Sequence, residues 1–104
     1  MILKNYCKFI IILLIFCVIK TSVSFPQINN ENADFNYGKE LYDDHLYDLA
    51  SIQFSEFLQK YPSSPQIPTA SFLLAESYFA SNKISEAKES YIKFIINFPG
   101  DKNI

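Results

Sequence analysis

The sequence contains no arginine and no tryptophan, only two glycines, two cysteines and a single histidine. Without arginine, and with acidic residues outnumbering lysines, the chain lacks the cationic surface that nucleic-acid binding requires. Two glycines are too few for a glycine-rich phosphate loop, and no serine stands in a Gly-x-Ser-x-Gly motif. We therefore expect no nucleic-acid partner, no cofactor and no enzymatic activity.

The histidine, His45, lies among carboxylates. Asp43 and Asp44 precede it and Asp48 follows three residues later, and imidazole with carboxylates can ligate a metal ion. A polar turn between two helices accounts for the same residues, and we favour the turn over a metal site.

The N-terminal residues have the order of a secretory signal peptide. Lys4 and Lys8 precede an unbroken apolar run, residues 9–19, and Ser22 and Ser24 follow it. The run has 11 residues, whereas a membrane-spanning helix needs about 20. We predict a signal peptide over residues 1–24, cleaved before Phe25. An uncleaved anchor is the alternative, and it is the only membrane contact that we expect.

Cleavage at that point would remove both cysteines, Cys7 and Cys17, so the exported domain would have no disulfide bond. Lipid attachment at Cys17 is a minor alternative, because Phe16 stands where the lipid-attachment signal has a small residue. Six lysines against eleven acidic residues would leave the exported domain a formal charge of −5.

The exported part repeats one pattern at an offset of 37 residues. The first copy consists of Ala50, Phe54, Phe57, Leu58, Tyr61 and Pro62, and the second of Ala87, Tyr91, Phe94, Ile95, Phe98 and Pro99. Self-similarity at a period of roughly 30–45 residues is typical of stacked repeat arrays. No alternating apolar run suggests a strand, so we predict an all-α fold.

The apolar spacing places four helices after a disordered leader at residues 25–32. We expect two helices at about residues 33–43 and 47–60, a third for which Pro65 and Pro68 suit the opening turn and which carries the apolar positions of 70–79, and a fourth at about 85–97. Polar turns are expected at 43–45 and 81–83. The helices form repeat 1 with its linker at 33–68 and repeat 2 at 69–104, each a pair of antiparallel helices. Gly38, Ala50, Ala75 and Ala87 supply the small side chains where paired helices cross closely. Tyr37 and Phe79 are predicted to pack, whereas Tyr47 is predicted to stay outside the core.

The spacing of these residues resembles the tetratricopeptide repeat, an α-solenoid of helix-turn-helix units. Gly38, Leu41, Ala50, Phe54, Phe57 and Pro62 match its pattern once, and Ala75, Tyr78, Ala87, Tyr91, Phe94 and Pro99 match it again. The Tyr-Pro-x-Ser-Pro linker and the segment 70–78 are similar to the exported bacterial subfamily that includes BamD and the Tol-Pal associated YbgF proteins. The resemblance implies a protein-binding scaffold in the bacterial periplasm or cell envelope, with a role in outer-membrane or envelope assembly.

The resemblance also implies that the first helix of each pair lines a concave partner-binding surface. The candidate residues are those not needed for packing: Asn36, Lys39, Glu40, Asp43, Ser71, Phe72, Glu76 and Ser77. A solvated helix face is the alternative explanation for each of them.

The outward side of the last predicted helix carries Ile92, Ile95 and Ile96 with no following helix pair to cover it. Because burying one isoleucine contributes roughly 1.5–3 kcal/mol, we expect this uncapped end to bind a second copy, a partner protein or further repeats. The main alternative to a scaffold is a truncated piece of a longer repeat protein without a function of its own.

Overall fold

The computed structural model describes residues 2–18 and 30–104. In this part of the chain all regular structure is helical, which confirms the predicted fold class. The five helices are α1 (Ile2–Val18), α2 (Glu31–Asp43), α3 (Tyr47–Lys60), α4 (Ile67–Ala80) and α5 (Ile84–Asn97). Helices α2 to α5 pack in chain order, each against the next, and α2 also touches α4.

Helix α1 covers most of the apolar N-terminal run, and its side chains from Lys4 to Ile12 are exposed. Among the described residues, none of the helices combines the length and apolarity needed to cross a membrane. The predicted cleavage site lies outside the described residues, as does most of the predicted leader.

Helix α2 begins two residues earlier than the sequence pattern predicts, so Glu31 and Asn32 are helical instead of belonging to a disordered leader. The Asn30 side chain caps this helix, with Oδ1 accepting a hydrogen bond from the Ala33 backbone N–H at 3.1 Å. Glu31 and Asp34 place negative charge in the first turn, where the helix dipole favours it. The cap was missed because asparagines are also typical of disordered leaders.

Both helix pairs turn in the same way. His45 and Asn82, which are 37 residues apart, are the non-glycine residues with positive φ in the described chain, at 61° and 64°. The next backbone N–H bonds back over five residues, from Leu46 to the Leu41 carbonyl at 2.9 Å and from Lys83 to the Tyr78 carbonyl at 2.8 Å. His45 and Asn82 each donate their own backbone N–H to the carbonyl three residues earlier, and the two hydrogen bonds together form a Schellman motif at each turn. The predicted turns are therefore confirmed.

The core is centred on repeat 1. Its buried residues pack around a cluster of phenylalanines, with ring centroids 5.5 Å apart for Phe35 and Phe57 and 6.2 Å apart for Phe35 and Phe54. The buried members are Phe35, Leu41, Ala50, Phe54, Phe57 and Ala70. In repeat 2, Ala75, Ala87 and Phe94 are buried in the corresponding places.

The small residues lie at the helix crossings, as predicted. Ala50 and Ala75 have no exposed surface and Ala87 retains 2%. A Cβ atom on Gly38 would lie 2.8 Å from Cε1 of Phe54, closer than van der Waals contact allows. Helix α2 can therefore approach α3 this closely only because residue 38 has no side chain.

A polar network joins the start of α2 to the end of α3. The Asp34 carboxylate accepts hydrogen bonds from Lys60 Nζ at 2.9 Å and Tyr61 Oη at 2.7 Å. These two donors hold the pKa of Asp34 below its ordinary value. Ser64 Oγ, in the linker, also donates to the carboxylate of Glu31. The linker is therefore fixed against the helix pair that precedes it.

Three aromatic positions differ from the prediction. Tyr37 and Phe79 were expected to pack, but they are 52% and 60% exposed. Tyr47 was expected to stay outside the core, yet its ring packs edge-on against Tyr42 with centroids 5.4 Å apart. Tyr47 meets Tyr42 of its own helix pair, whereas no described helix covers Tyr37 and Phe79.

Candidate protein-binding surface

Helices α2 and α4 are the first helices of the two pairs, and we define the inner face as Lys39, Asp43 and Glu76. Lys39 and Asp43 are four residues apart on one side of α2, and both are exposed. Glu76 occupies the position on α4 that Lys39 occupies on α2. The two helices therefore present opposite charges at equivalent positions of one surface.

Glu76 is held in place by the neighbouring helix. Its carboxylate accepts a hydrogen bond from the Tyr91 hydroxyl of α5, and Glu76 is half-buried. Burial, and secondly this carboxylate, raise the pKa of Tyr91 far above its ordinary value, so the phenol stays protonated and donates. The sequence signal for this hydrogen bond was the tyrosine at position 91. Repeat 1 has Phe54 at the equivalent position and Lys39 in place of Glu76, so it has neither the hydroxyl donor nor the carboxylate acceptor.

Tyrosines extend this surface towards the turn between α2 and α3. Burial raises the pKa of Tyr42, and the nearby charge of Glu76 raises it further. The Tyr47 hydroxyl lies 2.7 Å from Nδ1 of His45. These contacts give His45 a structural role in the turn. In the described residues, no group of three His, Cys, Asp or Glu side chains is arranged to hold a metal ion.

Not all predicted members of the concave surface belong to the inner face. Asn36 and Glu40 are exposed on another side of α2, and the Phe72 ring packs against Tyr91 and Phe94. Ser77 is completely buried and its hydroxyl donates to the Leu73 carbonyl at 2.6 Å, so the prediction that it lies on an accessible surface is wrong. Ser71 is five residues before Glu76, about 140° away around the helix. It lines a separate groove of about 370 Å³ formed with α3 and α5, where Leu58 and Phe94 are among its neighbours. The predicted set is thus divided between surfaces.

The isoleucines of α5 are accessible, as the uncapped-end hypothesis requires. Ile92 is 47% exposed, Ile95 51% and Ile96 70%. In the described part of the chain no helix packs against this side of α5. Whether a partner binds there stays a prediction.

A family model for outer membrane lipoproteins, YfiO, matches residues 28–104. This match covers all four helices of the two repeats. The chain belongs to the YfiO family of outer membrane lipoproteins. No curated protein and no solved structure matches the chain.

Membership of this family supports the predicted location in the cell envelope. The match begins at residue 28, shortly after the predicted cleavage site, so the predicted signal segment and the family region are separate parts of the chain. It also agrees with the resemblance to exported helical repeats, because the matched residues contain both copies of the 37-residue pattern.

Proposed function

We propose that the chain is a protein–protein interaction scaffold of the cell envelope that takes part in outer-membrane assembly by binding a protein or peptide on its inner face. Membership of an outer membrane lipoprotein family supports the location and the process. The structural observation that supports this proposal is the inner face. An exposed lysine and an oriented glutamate occupy equivalent positions on α2 and α4, and these two helices touch each other.

The chemistry of this face favours a polypeptide ligand with charges of both signs. Neither Lys39 nor Asp43, one turn further along α2, has an ion-pair partner among the described residues. Lys39 can therefore bind a carboxylate of the ligand, and Asp43 can bind a cationic group. Glu76 differs because the Tyr91 hydroxyl already orients its carboxylate. A fixed carboxylate loses less side-chain entropy on binding than a mobile one. Glu76 would therefore contribute more to the choice of partner than the exposed residues.

Site-specific photo-crosslinking in living cells tests this function. A photoreactive amino acid placed at position 39 or 43 should give the same covalent adduct, which mass spectrometry would identify. The matched control is position 56, where Glu56 is also exposed but lies on α3. Adducts of equal yield from position 56, or none from the inner face, would reject the inner face as the binding surface.

A charge reversal provides a second test. Lys39→Glu should reduce the yield of that adduct, with the photoreactive residue kept at position 43, and should leave stability within about 0.5 kcal/mol because Lys39 is exposed. An unchanged yield would show that the lysine does not contribute to binding.

We also propose that the exported domain begins at Phe25. Intact-mass spectrometry of the protein purified from the envelope should give the mass of residues 25 onward without Cys7 or Cys17. A mass that includes Cys17 with attached acyl chains would contradict the cleavage site and identify a lipid anchor instead.

A further inference from the structure

The interface between the two repeats shows what each end of the unit is built to contact. On α3, we take the side that faces α4 as Tyr47, Ser51, Ser55 and Leu58, which follow one another at helical spacing. Ser55 and Leu58 line one groove together with Ser71 and Leu74 of α4. Ser51 retains only 2% exposure, and Leu58 packs against the core. The positions 37 residues later lie on α5, and we call them the α5 end face. Its members are Ile84, Lys88, Ile92 and Ile95, all of which are exposed.

The opposite half of the same interface lies on α4. Its residues facing repeat 1 are Ala70, Leu73, Leu74 and Ser77, of which Ala70 and Ser77 have no exposed surface. Subtracting 37 gives the corresponding side of α2, which we call the α2 end face. Its members are Ala33, Asn36, Tyr37 and Glu40, and all four are exposed.

The two end faces therefore repeat the two halves of an interface that is already buried within the molecule. Small Ala33 stands where Ala70 allows close approach, and Tyr37 stands where Leu74 packs. On the other side, Ile95 replaces Leu58 and Ile92 replaces Ser55. The α5 end face is thus more apolar than its buried counterpart.

The one pair of charges on these faces is complementary. Ser51 and Ser77, the small buried residues of the internal interface, are replaced by Lys88 on the α5 end face and by Glu40 on the α2 end face. No other charged residue belongs to either set. Neither Lys88 nor Glu40 has an ion-pair partner among the described residues. The two faces therefore carry opposite charges at the positions that Ser51 and Ser77 hold in the internal interface.

We propose that the α5 end face of one copy binds the α2 end face of a second copy, so that the helix pairs continue from one molecule into the next. Because the two faces differ, the contact is head-to-tail and is not limited to a dimer. This association is independent of the inner-face function, since Lys39, Asp43 and Glu76 belong to neither end face.

Charge exchange between separate molecules provides the test, with the full chain kept in a nonionic detergent that covers α1. Sedimentation velocity of the parent protein should show a weight-average mass that rises with concentration beyond the dimer. Lys88→Glu and Glu40→Lys should each weaken this association at least about tenfold, because like charges then face each other. An equal mixture of the two variants should restore it, since each variant then meets an opposite charge at both ends.

Matched controls reverse exposed charges outside the two end faces. Glu86→Lys changes a charge on α5 about 160° around the helix from Lys88, beside the groove that contains Ser71. Glu56→Lys changes a charge on α3. Both variants should associate as the parent does. A parent that stays monomeric, or single variants that associate normally, would overturn the proposal. So would loss of association in both variants without recovery in the mixture, because Lys88 of one copy and Glu40 of the next would then not face each other.

Discussion

Replacing Gly38 by alanine tests the close contact between α2 and α3 at Gly38 and Phe54. Two effects oppose each other. Alanine is favoured over glycine within a helix by about 1 kcal/mol, but its Cβ would lie 2.8 Å from the ring of Phe54, which is fully buried and has nowhere to move. Overpacking of a core costs about 1–3 kcal/mol. We therefore expect Gly38→Ala to lower the free energy of unfolding by about 1 kcal/mol, or Tm by about 4–8 °C.

The origin of this loss can be isolated with a second substitution. In a Phe54→Leu background the smaller side chain leaves room for the new methyl group, so Gly38→Ala should there stabilise the protein by about 1 kcal/mol. Urea unfolding followed by circular dichroism measures all four members of this cycle. Gly100→Ala is the control, because a Cβ at residue 100 would meet nothing within 4 Å. If Gly38→Ala instead stabilised the parent protein, the close contact between residue 38 and the Phe54 ring would be refuted.

Three further predictions test other parts of the structure. Lys60 and Tyr61 lower the pKa of Asp34 in the folded protein, so on acidification the unfolded chain takes up the proton at a higher pH than the folded one. The free energy of unfolding should therefore keep this contribution above about pH 4 and lose it as the pH falls further. Asp34→Asn should flatten that decline in urea titrations at several pH values. Ser77→Glu introduces the residue found at the equivalent position 40 and should destabilise the protein by about 3–5 kcal/mol, because it buries an unpaired charge. The reverse exchange, Glu40→Ser, should change the free energy of unfolding by less than about 0.5 kcal/mol. Equal shifts in Tm for the two variants would contradict the burial of Ser77. Asn82→Gly should stabilise by about 0.5–1 kcal/mol, because glycine adopts the φ of 64° without steric cost; a lower Tm would show that the Asn82 side chain is needed in the turn.

Much of the fold could be predicted from the sequence because its determinants are local. The predicted bounds of α3 agree with the structure, Tyr47 to Lys60, and the turns at His45 and Asn82 were placed correctly. Small residues at Gly38, Ala50, Ala75 and Ala87 marked the helix crossings because no larger residue fits there.

The candidate site was harder to predict, because exposure depends on which helices are neighbours. Glu76 and Ser77 are adjacent polar residues with similar sequence surroundings, yet one is fixed by Tyr91 and the other is fully buried. Ser71 was grouped with Glu76 from the repeat pattern, although it faces a groove on another side of α4. The pattern identified which helix carries these residues but not which neighbour each one meets.

The sequence by itself determined the helices, their turns and their pairing, since these follow from apolar spacing, small residues and backbone preferences that act over a few residues. The tertiary structure alone decided which copies of each repeated position are covered. Leu74 packs against the core while its counterpart Tyr37 is exposed, because α3 lies beside α4 and no described helix occupies the same place beside α2.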